Sequence, residues 1–144
     1  ISRGLVGSEM CIRDRSHIYG CAAGLDMTRR DLQNKAKENR KPWDTAKDVD
    51  ESAVITPLRQ MSEVPSVASG RIHLSQNGTV KQDADLSEMV WSVPEIIADL
   101  STMYTLQQGD VIYMGTPAGV GAVSRGDVLA GGVEGIGDFE VKIA

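Results

Sequence analysis

Glycine recurs every few residues through the last third of the chain, at Gly109, Gly115, Gly119, Gly121, Gly126, Gly131, Gly132, Gly135 and Gly137. Such spacing leaves no room for long helices and calls for tight turns between short strands. A second turn signal lies upstream. Asn77-Gly78 separates two alternating runs within Arg71 to Gln82, the pattern of a β-hairpin with a type I′ turn. By alternation Ile72, Leu74 and Gln76 share one face, and Arg71, His73 and Ser75 the other. Aromatic residues make up only 4%, so the core must be built from Val, Ile, Leu, Met and Ala.

The 144 residues suffice for one domain with a modest core. The formal net charge of −5 argues against nucleic acid as a partner, because phosphates demand a basic face. It leaves room for an anionic substrate, since a metal ion or a few Arg and Lys can invert the field inside a pocket. No run of 18 apolar residues occurs, so no transmembrane helix is expected. The two cysteines, Cys11 and Cys21, form neither a disulfide framework nor a zinc pattern. A cytoplasmic setting is the expectation.

Residues 1–15, ISRGLVGSEMCIRDR, have neither a helical nor a strand period and no apolar h-region of a secretory signal. The stretch resembles the translated read-through of a sequencing adaptor; a natural tail is the alternative. It is set aside as non-native, which places the functional segment at residues 16–144 and implies a chain cut just before Ser16. Residues 1–15 carry a net +1, so the remainder is −6.

Ile18 to Asp26 reads as one buried strand. A helix follows, with Thr28 as N-cap, Asp31 in the first turn, and Leu32 and Ala36 facing inward. Asn39 to Pro42 stops it, and Trp43 to Ser52 reads as a polar connection. Ala53 to Ile55 is a short strand ending at Thr56-Pro57. Asp85 or Ser87 begins a helical stretch through Met89, Val90 and Trp91, and a further helix runs from Pro94 to Leu100. Val111 to Met114, Val128-Leu129 and Phe139 to Ile143 read as strands. The fold class is mostly β with a few helices, α+β.

Two segments could carry chemistry. In the first, Asp26 ends a strand at a natural cleft edge, and Arg30 and Gln33 share a helix face above it. Asp26 could offer a hard oxygen to Mg²⁺ or a similar cation. Arg30 could grip a substrate carboxylate through two hydrogen bonds. Gln33 could orient a water or a carbonyl, and Lys47 could add positive charge to a developing enolate. The plain alternative is an Asp26–Arg30 ion pair and a solvated Lys47. The second segment, Gly115-Thr116-Pro117-Ala118-Gly119-Val120-Gly121, can present N–H groups and the Thr116 hydroxyl to an anion, or be an ordinary turn. It is neither a P-loop nor a dinucleotide fingerprint. Asp48, Asp50, Asp83 and Asp85 read as solvated or capping acids, His73 as an outward hairpin residue, and Cys21 as a buried small hydrophobe.

Together these residues resemble the fumarylacetoacetate hydrolase family. The matching text is Gly24-Leu25-Asp26-Met27-Thr28-Arg29-Arg30-Asp31-Leu32-Gln33, Lys41-Pro42-Trp43 with Lys47, Met89-Val90-Trp91, Gly109-Asp110-Val111-Ile112, Gly115 to Gly121, and Gly131 to Gly137. It runs in order over Ser16 to Ala144.

The resemblance implies a mixed β-sandwich roll, homodimeric at full length, and a Mg²⁺ or Mn²⁺ site that chelates a small 2-oxo or β-dicarbonyl acid. Asp26 would be a metal ligand. Arg30, Gln33, Lys47 and Thr116 would line the substrate site, with Gln33 and Lys47 counted as catalytic. The implied reaction is hydrolysis of a carbon–carbon bond in acylpyruvates or fumarylpyruvate; the alternatives are an oxaloacetate decarboxylase, a 2-hydroxyhepta-2,4-diene-1,7-dioate isomerase, or a non-catalytic binding module. The family's Glu-x-Glu metal ligands and its water-activating His and Glu belong to sequence upstream of the matching segment, and no Glu-x-Glu occurs here. The chain as given is therefore expected to be poorly active.

Overall fold

The computed structural model describes residues 17–144. The expectation for residues 1–15, and Cys11 with it, lies outside the described residues. The architecture is α+β, with two short antiparallel ribbons, a four-stranded antiparallel sheet and a few helices.

The first ribbon pairs β1 (Gly20–Cys21) with β4 (Arg59–Gln60), and the second pairs β2 (Gly24–Asp26) with β3 (Ala53–Ile55). The single buried strand expected over Ile18 to Asp26 is thus two strands with different partners. Its break faces Pro57, which has no N–H to extend the ladder. Thr56 closes the gap instead: its N–H donates to the Ala23 carbonyl at 2.9 Å, and its hydroxyl accepts from the Ala23 N–H at 3.1 Å. Only Leu25 of β2 is buried, leaving Asp26 at an open edge.

Helix α1 (Arg30–Glu38) follows β2. Its N-cap is Arg29 rather than Thr28, and the buried positions are Gln33 and Ala36, with Leu32 half-buried. The expected polar connection contains a one-turn helix, α2 (Asp44–Lys47), whose Ala46 is fully buried. One turn is too short to show a period, and it is held by tertiary contact rather than by propensity. Trp43 leads into it, with the Lys37 ammonium 4.7 Å from its ring centroid. The Arg29 N–H donates to the Ala46 carbonyl at 3.0 Å, fixing the corner between the two helices.

The sheet runs in the order β6-β5-β7-β8, with β5 Arg71–Gln76, β6 Thr79–Asp85, β7 Val128–Val133 and β8 Gly137–Lys142. The Asn77-Gly78 hairpin is present, with φ of 52° and 79° at its two turn residues, as a type I′ turn requires. The register holds Leu74 opposite Gln82 and Ser75 opposite Val80, so Lys81 is an extra residue, a β-bulge. The apolar face meets the first ribbon in a cluster of Ala23, Val133 and Ile136, flanked by Cys21, Val64, Ile72, Leu86 and Phe139. Cys21, expected to be buried, is half-buried at the edge of this cluster, and burial raises the pKa of its thiol.

Helix α3 (Val93–Met103) is longer than the Pro94–Leu100 expectation and keeps Pro94 in its first turn. Before it, Leu86–Glu88 form a single 3-10 turn, which Asp85 caps by accepting the Ser87 N–H at 2.8 Å. The helical stretch expected through Met89 to Trp91 is absent; the backbone is extended at Met89, and Val90 is almost fully exposed. Val111 to Met114, expected as a strand, has no ladder partner among the described residues. A strand is defined by pairing, which its own composition cannot supply.

The hairpin tip is tied to β7 by Asp127. Its carboxylate accepts from Gln76 Nε2 at 2.6 Å, Asn77 Nδ2 at 2.8 Å and the Ser124 N–H at 2.7 Å. These bonds, the Asn77 side chain first, hold its pKa below the usual aspartate value. A depressed folded pKa contributes stability above the unfolded pKa of about 4, and that contribution is lost as pH falls through the folded value. Asp127→Ala should therefore lower the thermal midpoint at neutral pH, and the gap to wild type should close in acid. Melting curves across pH 2 to 7 check this; a gap unchanged at the acid end would refute it.

Candidate functional site

Asp26 and Lys47 meet at the open end of the β2–β3 ribbon, where Lys47 Nζ donates to Asp26 Oδ2 at 2.7 Å. The partner is thus Lys47, 21 residues away in sequence, and not Arg30, nor is Lys47 a free surface lysine. Both side chains stay partly exposed, 40% for Lys47 and 49% for Asp26. At that exposure the pair contributes at most about 1 kcal/mol to folding. The ion pair is consequently cheap to rearrange around a ligand.

Arg30 lies on the first turn of α1 and is exposed. Its Nη1 donates to Gln33 Oε1 at 2.6 Å, so a buried amide anchors an exposed guanidinium. Gln33, expected to handle a water or a carbonyl, has its carbonyl oxygen engaged with Arg30. The α1–α2 corner sets Arg30 and Gln33 beside the strand end that carries Asp26, though no direct bond joins the two pairs among the described residues.

Thr116 belongs to a second group. It is exposed, and its hydroxyl accepts from Gln82 Nε2 at 2.8 Å. The same nitrogen donates to the Pro117 carbonyl at 2.8 Å. Gly119, with φ of 105°, lies so close to the Lys81 carbonyl that a Cβ there would collide with it. The glycine-rich loop is therefore docked flat on the bulged strand β6.

Tyr113 connects the two groups. Its hydroxyl donates to the Val54 carbonyl on β3 at 3.2 Å. Burial raises its phenol pKa, and the Asp26 charge adds to the shift. Thr116 follows Tyr113 by three positions, no more than about 11 Å of backbone. Sequence reasoning singles out neither Tyr113 nor Gln82. A polar residue on the apolar face of a hairpin is the available signal for Gln82, but the bulge at Lys81 hides which face it occupies.

Two of the remaining acids have structural partners. Asp83 pairs with Arg71 at 2.7 Å, and this guanidinium lowers its pKa. Asp85 is the cap of the 3-10 turn. His73 is half-buried rather than solvated, lining a shallow cavity of about 350 Å³ with Arg71, Glu134 and Asp138, a lining that includes none of Asp26, Arg30, Gln33, Lys47 and Thr116. No cluster of three His, Cys, Asp or Glu able to hold a metal occurs among the described residues. No helix among them is long and apolar enough to cross a membrane.

Comparison with known proteins places this arrangement. The model of the fumarylacetoacetate (FAA) hydrolase C-terminal family matches residues 12–144. A fumarylpyruvate hydrolase of a Ralstonia species is 52% identical over 132 residues, which are 90% of this chain and 68% of that protein. A mitochondrial oxaloacetate tautomerase of Rattus norvegicus is 35% identical over 127 residues, 88% of this chain and 58% of that protein. Among solved structures, the fumarylpyruvate hydrolase from Pseudomonas aeruginosa in complex with Mn²⁺ and pyruvate is 41% identical with a TM-score of 0.87, covering 90% of this chain and 56% of the other. The chain thus spans between about half and two thirds of the length of these relatives. With the family model covering all the described residues, the chain belongs to the fumarylacetoacetate hydrolase C-terminal family.

Proposed function

We propose that this chain is part of a metal-dependent hydrolase that cleaves a carbon–carbon bond in acylpyruvate-type acids such as fumarylpyruvate. The observation that carries the reading is the Asp26–Lys47 pair, an acid and an ammonium 2.7 Å apart at an open strand edge, in a chain 52% identical to a fumarylpyruvate hydrolase. A homodimer and a cytoplasmic setting belong to the same reading.

The donors fit one corner of a Mg²⁺ or Mn²⁺ site. Asp26 is a hard carboxylate of the right kind, but one carboxylate does not make a tight site for such a cation. When bound, the metal supplies Lewis-acid polarisation of a substrate carbonyl. The chain's own residues bind and orient the substrate. Arg30, held by Gln33, offers a planar fork for a substrate carboxylate. Lys47 holds Asp26 in place and brings positive charge toward an oxygen on which negative charge develops. Thr116 offers a hydroxyl to the substrate carboxylate from the glycine-rich loop.

A second reading has one observation in its favour, the 35% identity to an oxaloacetate tautomerase. A polypeptide completed to the length of the Ralstonia relative separates the two. With Mg²⁺ it should cleave fumarylpyruvate or acetylpyruvate; turnover of oxaloacetate without cleavage of either would sink the hydrolase reading. In that protein Lys47→Met should lower kcat about 100-fold while shifting stability by less than about 1 kcal/mol. Equal activity in the variant would remove Lys47 from the chemistry. Asp26→Ala should lower activity by at least about 100-fold and weaken metal binding. For the 144-residue chain itself, calorimetric titration with Mg²⁺ should show no specific site at micromolar affinity. Tight binding would mean that the ligands lie elsewhere.

A further inference from the structure

Gln82 has a bonding pattern that fixes more than its own position. The Pro117 carbonyl can only accept a hydrogen bond, so the side-chain group that faces it at 2.8 Å must be the amide NH₂. The same nitrogen lies 2.8 Å from Thr116 Oγ1, so the hydroxyl accepts there. A hydroxyl that accepts from an amide keeps its proton for another partner. No acceptor for that proton is present among the described residues, and Thr116 is exposed. Gln82 itself is 8% exposed, on the bulged strand and opposite Leu74. A buried amide with both protons spent on one loop is a rigid support. Gly119 seats the same loop against the Lys81 carbonyl, which leaves the loop little freedom to slide.

We infer that Gln82 is a positioning residue that holds the Thr116 hydroxyl by one lone pair and leaves its proton to be donated to the carboxylate of a 2-oxo acid. The proton is then available to an acceptor such as an anionic oxygen. This rests on the proposed role of Thr116 as a carboxylate contact.

The test is a coupling measurement on the 144-residue chain, with pyruvate as the probe at millimolar concentration, followed by heteronuclear NMR. Thr116→Val and Gln82→Met should each weaken pyruvate binding about tenfold, the size of one charge-assisted hydrogen bond. The double variant should be no weaker than either single one, because Gln82 acts through the hydroxyl. Thr116→Ser should bind as wild type does and keep its dependence on Gln82. In the spectrum of wild type the Gln82 side-chain amide protons should exchange slowly, and Thr116→Val should release one of them. Gln82→Glu keeps the size of the side chain and guards against a misfolded Met variant. Its carboxylate would accept the Thr116 proton and give up the bond to the Pro117 carbonyl, so Thr116→Val in that background should cost nothing further. Additive losses would overturn the proposal, since they would mean that Gln82 acts independently of the Thr116 hydroxyl. Pyruvate binding indifferent to Thr116→Val, or absent in wild type, would overturn it as well. Failure of the hydrolase reading shows differently: pyruvate coupling as described, with no cleavage of any acylpyruvate by the completed polypeptide.

Discussion

The structure depends on one buried side chain, Thr56. Where Pro57 interrupts the ladder, the Thr56 backbone and hydroxyl together satisfy both polar groups of Ala23. Leaving either unpaired would cost about 1–3 kcal/mol, a large share of the stability of a domain this size. Thr56 also faces Gly137 at the start of β8, where a Cβ would sit 3.1 Å from its hydroxyl oxygen. One residue thereby joins both ribbons to the large sheet. The ribbon that carries Asp26 can stand open to solvent because its other end is fixed in this way.

How far the sequence could reveal this varies with the range of the interaction. The Asn77-Gly78 hairpin was legible because a type I′ turn is a local demand on two residues. The acid at the end of β2 and the helix after it were legible for the same reason, although Arg29 and not Thr28 holds the cap position. Spacing along α1 pairs Arg30 with Gln33, as observed, but it also invites an Asp26–Arg30 pair that does not form. Lys47 reaches Asp26 only through the buried Ala46 turn and the bond from the Arg29 N–H to the Ala46 carbonyl. No local pattern contains that path. The run Val111 to Met114 has strand composition, yet its fixed point is the Tyr113 hydroxyl on Val54 rather than a ladder.

Charge follows the same division. The chain is acidic overall, and several of its acids are occupied as caps or partners: Asp85 at a turn, Asp127 at the hairpin tip, Asp83 on Arg71. Arg30 and Lys47 at the candidate site each have a hydrogen-bonded partner. A small number of oriented cations suffices for a small anion, since a long-range field adds little at physiological ionic strength.

The bulge at Lys81 acts as a one-residue frameshift in the alternation of β6. Counted back from the Asn77-Gly78 turn, a regular hairpin would set Lys81 opposite Leu74 and turn Gln82 outward. The extra residue reverses that parity and brings an uncharged amide, not an ammonium, beneath the Thr116 loop. Loss or gain of a single residue between Thr79 and Gln82 would exchange the two without altering any residue at the site itself. The length of this strand, independent of its composition, is therefore part of what determines the ligand that the loop accepts.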